Sequence, residues 1–509
     1  MIRLNVLDWI DERAKDCPQK IAYESPIDNL SFLELKQAAV KAGACMLSKL
    51  PLGSAADSPI AVIMERKCAT VSVFLGSVYA GHPYAPIDGT LPIARIQKIL
   101  ETLMPCLIVT DEAFEGKIKS VSKDSSILSY AEAAEYKVSQ TDYEKLAWVR
   151  ERITATDPLY IIFTSGSGGT PKGVATSHLS LINYIEAYSK VLEINPSDRL
   201  ACQSPLDYIA AIRDIYLPLS KGAYSYLLPK QLFMEPDRLF QALNEKEISC
   251  VGWSASAITV LTKLGAFKDM SLKTLRKVCF SGSVMPSSVL SLWQENLPDT
   301  LFINQYGPTE TTASCTYYRI DHRVSKDEIL PIGEPFDNYK VFLISESDST
   351  VPDGELGEIC VSGIGLSLGY YRDQKRTEAA FTMNPLNRNY PERIYRTGDI
   401  GRFREDGLLE YHGRRDRQIK HMGHRVELDE IEAAAMQMGN IDECACLYDS
   451  ESETILLIYS GKAEIRDISI FLRGILPGFM IPRKIRKQNA LPKLPNGKIN
   501  IQSLKEKNL

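Results

Sequence analysis

Short apolar runs that alternate with helical-period segments constrain this chain most. "PIAVIM" (59 to 64), "CLIVT" (106 to 110) and "LYIIFT" (159 to 164) are five or six residues long and apolar on both faces. A strand exposed on one side would alternate instead, so these runs predict strands covered on both faces. Between such runs lie stretches such as "HLSLINYIEAYSKVL" (178 to 192), whose apolar residues recur every three to four positions. Strand and helix in alternation predict an α/β architecture with largely parallel sheets. Over 337–415 the pattern shortens: "YKVFLI", "GEICVSG" and "GLLEYHG" are joined by Gly and Asp turns, which predicts a β-rich part. A further α/β pattern follows "GRRDRQIKHMGHRVE". The expected division is a large domain over 1–415 and a small α+β domain over 416–509, and 509 residues exceed what one core organises.

Composition narrows the function classes. With 24% charged residues and a net charge of −5, nothing global calls for nucleic acid or an anionic membrane. The eleven cysteines include no CxxC pair, and Cys444 and Cys446 stand too close together for a zinc knuckle. Unpatterned thiols in this number suit a reducing compartment. The N-terminus, "MIRLNVLDWIDERAKDC", lacks a signal-peptide core and has helical periodicity. No run of about 18 apolar residues could span a bilayer. A cytoplasmic location is expected. From Arg473 to Leu509 there are nine Lys or Arg against one acidic residue, either a solvated face or a surface for an anionic partner.

"YIIFTSGSGGTPKGV", Tyr160 to Val174, carries the first chemical signal. A strand entering a Gly, Ser and Thr turn can aim several backbone N–H groups at one anion. Thr164, Ser165, Ser167 and Thr170 add hydroxyl donors, and Lys172 adds a point charge. Gly166, Gly168, Gly169 and Gly173 allow close backbone approach. The Walker loop needs GxxxxGK and then Ser or Thr, and that spacing is absent. Taken alone, the loop is equally well an ordinary Gly/Ser turn.

It has companions. "NQYGPTETT" (304 to 312), "YRTGDIGRF" (395 to 403), "GRRDRQIKHMGHRVELDEIE" (413 to 432) and "LPKLPNGKIN" (491 to 500) follow in order. "LSFLELKQAA", "VYAGHPYAPID", "GELGEICVSGIGLSLGYYRD" and "LPGFMIP" complete the set. Together they resemble the motifs of the adenylate-forming superfamily, and most closely its amino-acid adenylation branch, as found in nonribosomal peptide synthetases. The resemblance covers nearly the whole chain. It implies an AMP-forming acid–thiol ligase using ATP and Mg²⁺. A carboxylate attacks the α-phosphate, pyrophosphate leaves, and a thiol then displaces AMP.

The same resemblance implies roles. The glycine loop would hold the β and γ phosphates. Tyr306 and Gly307 lie where the adenine stacks, Thr309 where a hydroxyl meets the α-phosphate, and Glu310 where a carboxylate holds Mg²⁺. Asp399 matches the ribose-binding carboxylate, Tyr411 a second aromatic group and Arg414 a ribose or phosphate contact. Lys498 is the candidate catalytic cation, able to reach the substrate carboxylate and the ribose bridging oxygen. Asp416 matches a hinge, and Gly423 a loop lining the thiol tunnel. Three positions depart from the pattern: Met422 stands for a basic residue, Asp429 for Gly, and Gly168 for Thr or Ser. The last removes a hydroxyl donor and predicts a modestly raised ATP requirement.

The acid pocket aligns to Tyr208, Ile209, Ala210, Arg213, Gly252, Cys279, Ser281, Gln305, Ala313 and Ser314. Amino-acid activators carry Asp where Ile209 stands, to bind the α-ammonium. An ammonium buried there would lack a counter-charge, so either the substrate has no ordinary α-ammonium or a gap brings Asp207 into place. Arg213 is a pocket cation, or a solvent-facing arginine beside Asp214. The expected partners are a small carboxylic acid and the phosphopantetheine thiol of a separate carrier protein, since no carrier domain follows "NGKINIQSLKEKNL". Coenzyme A is the alternative acceptor. A catalytically degenerate nucleotide-binding scaffold is the rival of another class.

Overall fold

The computed structural model describes residues 5–50, 58–122, 126–166, 170–450, 452–494 and 499–508. Two compact units emerge, the first of Met1–Asp88, Leu103–Ile162 and Gly173–Arg415, the second of Gly89–Thr102, Phe163–Lys172 and Asp416–Leu509.

The first unit is built on two large sheets and a smaller one. A nine-stranded sheet runs in the order Glu334–Pro335, Thr316–Ile320, Leu301–Tyr306, Lys277–Ser281, Cys250–Ser254, Arg199–Cys202, Tyr224–Leu227, Ile21–Glu24, Asn29–Ser31. Its central six strands are parallel, and antiparallel strands close both sides. A seven-stranded sheet contains the three apolar runs as Ile60–Ile63, Leu107–Thr110 and Pro158–Thr164. Ile60–Ile63 and Leu107–Thr110 are buried at every position, as runs without alternation require. The fold is therefore the α/β class expected, and the β-rich part is a five-stranded antiparallel sheet whose first strand is Tyr339–Ile344 and whose last is Leu409–Arg414.

Helices form where the periodicity places them. Phe32–Lys49 opens on a capping box, with Ser31 Oγ accepting from Glu34 N–H and Glu34 accepting from Ser31 N–H. The N-terminal amphipathic helix is Leu7–Asp16, with Leu7, Trp9, Ile10 and Ala14 buried. His178–Val191 is capped by the Ser177 hydroxyl. Ala211–Lys221 is buried over its first ten residues and ends at Gly222 in the left-handed conformation. Leu206 to Ala210 form turns before that helix, so Tyr208, Ile209 and Ala210 stand outside its regular register.

In the second unit the hairpin Gln418–His421/His424–Glu427 leads into the helix Leu428–Met436. His421 faces His424 across a two-residue turn, with Met422 at φ 52° and Gly423 at φ 80°. Positive φ at both positions is the type I′ geometry, so Met422 occupies a conformation that disfavours side chains. A three-stranded sheet of Ile441–Asp449, Thr454–Gly461 and Lys484–Lys487 packs with the helices Ile465–Ile475 and Ile501–Asn508. All eleven cysteines are free thiols.

Candidate active site

The strand Leu301–Tyr306 ends in the "YGPTE" turn, and that turn is sterically determined. A Cβ on Gly307 would lie 2.4 Å from Ser314 Cα and 2.7 Å from Cys315 N. Only glycine lets the chain double back so closely. Cys315 N–H donates to Tyr306 O at 2.8 Å and closes the loop. Thr312 and Ala313 sit at φ 57° and 72°, two adjacent non-glycine residues in the left-handed region, where strain of this kind marks functional turns.

Around Tyr306 three expected residues meet. Its hydroxyl donates to Asp399 Oδ2 at 2.5 Å, and Arg414 Nη1 donates to Asp399 Oδ1 at 2.7 Å. Asp399 and Arg414 face each other in register across neighbouring antiparallel strands. The Tyr411 ring lies 6.2 Å from the Tyr306 ring at 40°. Asp399 is buried between a phenol and a guanidinium. Burial, and then the Asp399 carboxylate, hold the Tyr306 phenol well above its ordinary pKa, so it stays a donor. Glu310 is fully buried on a short 3₁₀ turn and accepts from Tyr370 Oη at 2.7 Å. Thr309 beside it is also buried.

The loop residues Thr164, Ser165, Gly166, Thr170 and Lys172 belong to the second unit, and Gly173 to the first. Thr164 Oγ1 is buried without a hydrogen-bond partner. Ser165 Oγ donates to Arg425 O at 2.7 Å, and Gly166 N–H to Glu430 Oε2 at 3.3 Å. Arg95 forms a buried ion pair with the same Glu430 carboxylate. Thr170 is exposed, and Lys172 is buried at the start of the strand Lys172–Ser177. Ser167, Gly168, Gly169 and Lys498 lie outside the described residues. Asp416 is exposed and accepts from Gln418 N–H at 3.2 Å. Asp429 pairs with Arg417 at 2.8 Å in the first turn of its helix, where a negative charge is favoured.

The aligned pocket residues form a buried polar group in the first unit. Arg213 is 1% exposed, which corrects the solvent-facing alternative. It donates to Ala210 O at 3.2 Å, Gln305 Oε1 at 3.1 Å and Gly252 O at 3.0 Å. Gly252 makes room for it, since a Cβ there would lie 3.3 Å from Arg213 Cζ and 3.2 Å from Tyr188 Oη. Burial works against the guanidinium charge, and Tyr188, Tyr184 and Asp214 outweigh it. Cys279 is fully buried, its thiol pushed up to about 12 mainly by burial. Ile209, Ala313 and Ser314 are buried, and Tyr208, Ala210 and Ser281 are partly so. Asp207 sits in a different setting. Burial raises its carboxyl to about 6, and its charged neighbours are Asp88 and Lys230, none of which surround Arg213.

Comparison with known proteins matches residues 10–371 to the model of the family described as "AMP-binding enzyme". The chain belongs to the AMP-binding enzyme family. Members are AMP-forming ligases. Tyrocidine synthase 1 of Brevibacillus parabrevis is 28% identical over 98% of the chain, which spans only 44% of that protein. Zwittermicin A synthase ZmaJ of Bacillus cereus is 28% identical, with 96% of the chain covering 92% of it. Among solved structures, an artificially fused adenylation–PCP di-domain from Klebsiella oxytoca superposes with a TM-score of 0.82 at 20% identity, covering 96% of this chain and 95% of that one. A double mutant of o-succinylbenzoate CoA synthetase from Bacillus subtilis gives 0.83 at 17%, covering 99% and 98%. At those identities the likeness is one of fold.

Within this AMP-binding enzyme, sequence reasoning missed several neighbours of the candidate residues. Tyr370 donates to Glu310, and it was legible only as part of "GYYRD". Tyr184 and Tyr188 stand beside Arg213, and their i,i+4 spacing on one helix was the signal available.

Proposed function

We propose that this chain activates a small carboxylic acid as its acyl-adenylate, releases pyrophosphate, and transfers the acyl group to the phosphopantetheine thiol of a carrier protein. Family membership supports the first step. The observation that carries the site assignment is the buried Tyr306–Asp399–Arg414 arrangement, beside Tyr411. Asp399 presents a fixed, buried acceptor that suits vicinal ribose hydroxyls, and the two aromatic rings suit a purine. Carriage of the pantetheine thiol is supported by the adenylation–PCP relatives in fold.

The residues present fit ATP and Mg²⁺. The unpartnered, buried Thr164 hydroxyl next to the loop suits an anionic oxygen. Glu310 is a buried carboxylate, and no group of three or more potential metal ligands occurs among the described residues, so it would hold an ion whose remaining ligands come largely from the nucleotide and water. Mg²⁺, when bound, would neutralise phosphate charge. In this reading the backbone of Ser165 to Thr170 with Lys172 holds the β and γ phosphates, and Thr309 orients the α-phosphate. Lys498 stabilises the negative charge that builds as the two anions meet, which is the main barrier to the reaction. Asp416 is the hinge about which the segment 416–509 turns between the two half-reactions.

An acid-dependent exchange of labelled pyrophosphate into ATP, yielding AMP rather than ADP, tests this reading. Turnover of ATP to ADP with every acid would reject it. The same fold serves a CoA synthetase, so the thiol donor is tested separately. Mass spectrometry after incubation with coenzyme A or with a holo-carrier protein identifies the thioester formed.

A further inference from the structure

The group around Arg213 has more hydrogen-bond donors than acceptors. A guanidinium carries five N–H groups. Three neutral acceptors receive Arg213: the carbonyls of Ala210 and Gly252 and the Gln305 side-chain oxygen. No carboxylate among the described residues forms an ion pair with it. Gln305, which accepts from Arg213, has its own Nε2 donor buried without a partner. The Tyr184 and Ser314 hydroxyls lie within hydrogen-bonding reach of each other, and Tyr184 also feels the Arg213 charge. A buried cation whose hydrogen bonds all go to neutral acceptors, beside an unpartnered amide donor, is an incomplete arrangement, and an anion with several acceptor lone pairs completes it.

Asp214 is the nearest internal counter-charge and interacts electrostatically with Arg213, but no ion pair joins the two among the described residues, and Asp214 also meets Cys202 and Arg66. Burial raises its carboxyl to about 6, which weakens it as a counter-charge. One carboxylate oxygen, Oδ2, is itself unpartnered. A guanidinium seeking only Asp214 would not require glycine at position 252, yet a Cβ there would press on Arg213 Cζ at 3.3 Å. The glycine holds open the place where the planar head group sits.

We propose that the substrate is a dicarboxylate whose second carboxylate, the one not activated, is received by the Arg213 guanidinium together with the Gln305 amide. The assignment rests on the adenylation reading above. It treats the pocket as a carboxylate receptor at the end remote from the reacting carboxyl. Ile209 is the buried residue aligned with the usual ammonium-binding Asp, so oxo- or hydroxy-dicarboxylates fit better than amino ones.

Pyrophosphate exchange by the whole chain, with matched pairs of acids, tests this. Each pair differs only in the distal group: glutamate against glutamine, 2-oxoglutarate against its 5-amide, succinate against succinamate. The expected result is a preference of at least tenfold in kcat/KM for the dicarboxylate of one pair. Arg213→Leu should remove that preference, lowering kcat/KM by about the size of the preference (at least tenfold) for the dicarboxylate and less than threefold for the neutral partner, with the KM for ATP unchanged. Arg213→Lys should restore part of it. A wild-type preference for the neutral member of every pair, or for other monocarboxylates, would overturn the assignment while leaving adenylation intact. That arm needs no variant, so a poorly folding Arg213→Leu does not shield the proposal. An absence of exchange with any acid would overturn the adenylation reading, and this assignment with it.

Discussion

Glycine 307 shows how much one side chain can cost here. Gly307→Ala would place a methyl group 2.4 Å from backbone atoms that cannot rotate away. Overpacking of this kind costs about 1–3 kcal/mol, so a lowered thermal midpoint and a raised KM for ATP are expected together. A midpoint within a degree of wild type would mean that the turn relaxes freely. Lys498→Ala should lower pyrophosphate exchange by about a hundredfold or more while ATP still binds, as for the loss of a charge-stabilising donor. Near-normal exchange would remove Lys498 from the mechanism. Motif order made Tyr306, Asp399 and Arg414 legible, because each motif fixes a residue type at a fixed spacing. The hydrogen bonds among them were not legible, since residues 306 and 399 meet only through sheet packing. Arg213 was ambiguous for a related reason. A charged residue on a helix has exposure as its ordinary state, and burial here depends on a glycine in the strand Cys250–Ser254.

At the scale of elements, the start of the helix His178–Val191 carries a pH dependence. His178 is buried, and its Nδ1 accepts from Val6 N–H at 3.4 Å. Burial lowers its pKa from 6.5 to about 3, with Asp157 opposing the shift and Arg150 adding to it. Between those values the unfolded chain binds a proton that the folded chain refuses. This contribution to stability is complete above pH 6.5 and is lost as pH falls toward about 3. It amounts to about 5 kcal/mol in full, and to about 2 kcal/mol between pH 7 and pH 5. Asn at 178 can offer an acceptor near the Nδ1 position without titrating. The urea midpoint of His178→Asn should therefore fall less than that of wild type from pH 7 to pH 5, and parallel curves would refute the account. Strands and helices of the first unit were readable because burial on both faces writes continuous apolar runs. The turns of residues 206 to 210 were not, because a helix and the turn before it share one apolar texture.

For the molecule as a whole, charge distribution matters more than the net −5. The edge strand Lys484–Lys487 presents Lys484, Arg486 and Lys487 to solvent. We expect these residues to steer an acidic carrier protein, so changing all three to Glu should slow thioester transfer about five- to tenfold at low salt. Pyrophosphate exchange should stay unaltered, and the deficit should shrink at high salt. Equal transfer by both proteins would leave the charges with the task of discouraging edge-to-edge pairing. No helix among the described residues is long and apolar enough to cross a membrane. The contact between Gly252 and Arg213 also bears on how such chains diverge. A lineage that first loses the arginine is free to enlarge residue 252 afterwards, whereas one that first gains a methyl group at 252 must displace the guanidinium by some tenths of an ångström. The order of substitutions therefore matters. A new substrate preference is reached more readily through a permissive loss at 213 than through a gain at 252, which gives ancestry a direction at these two sites.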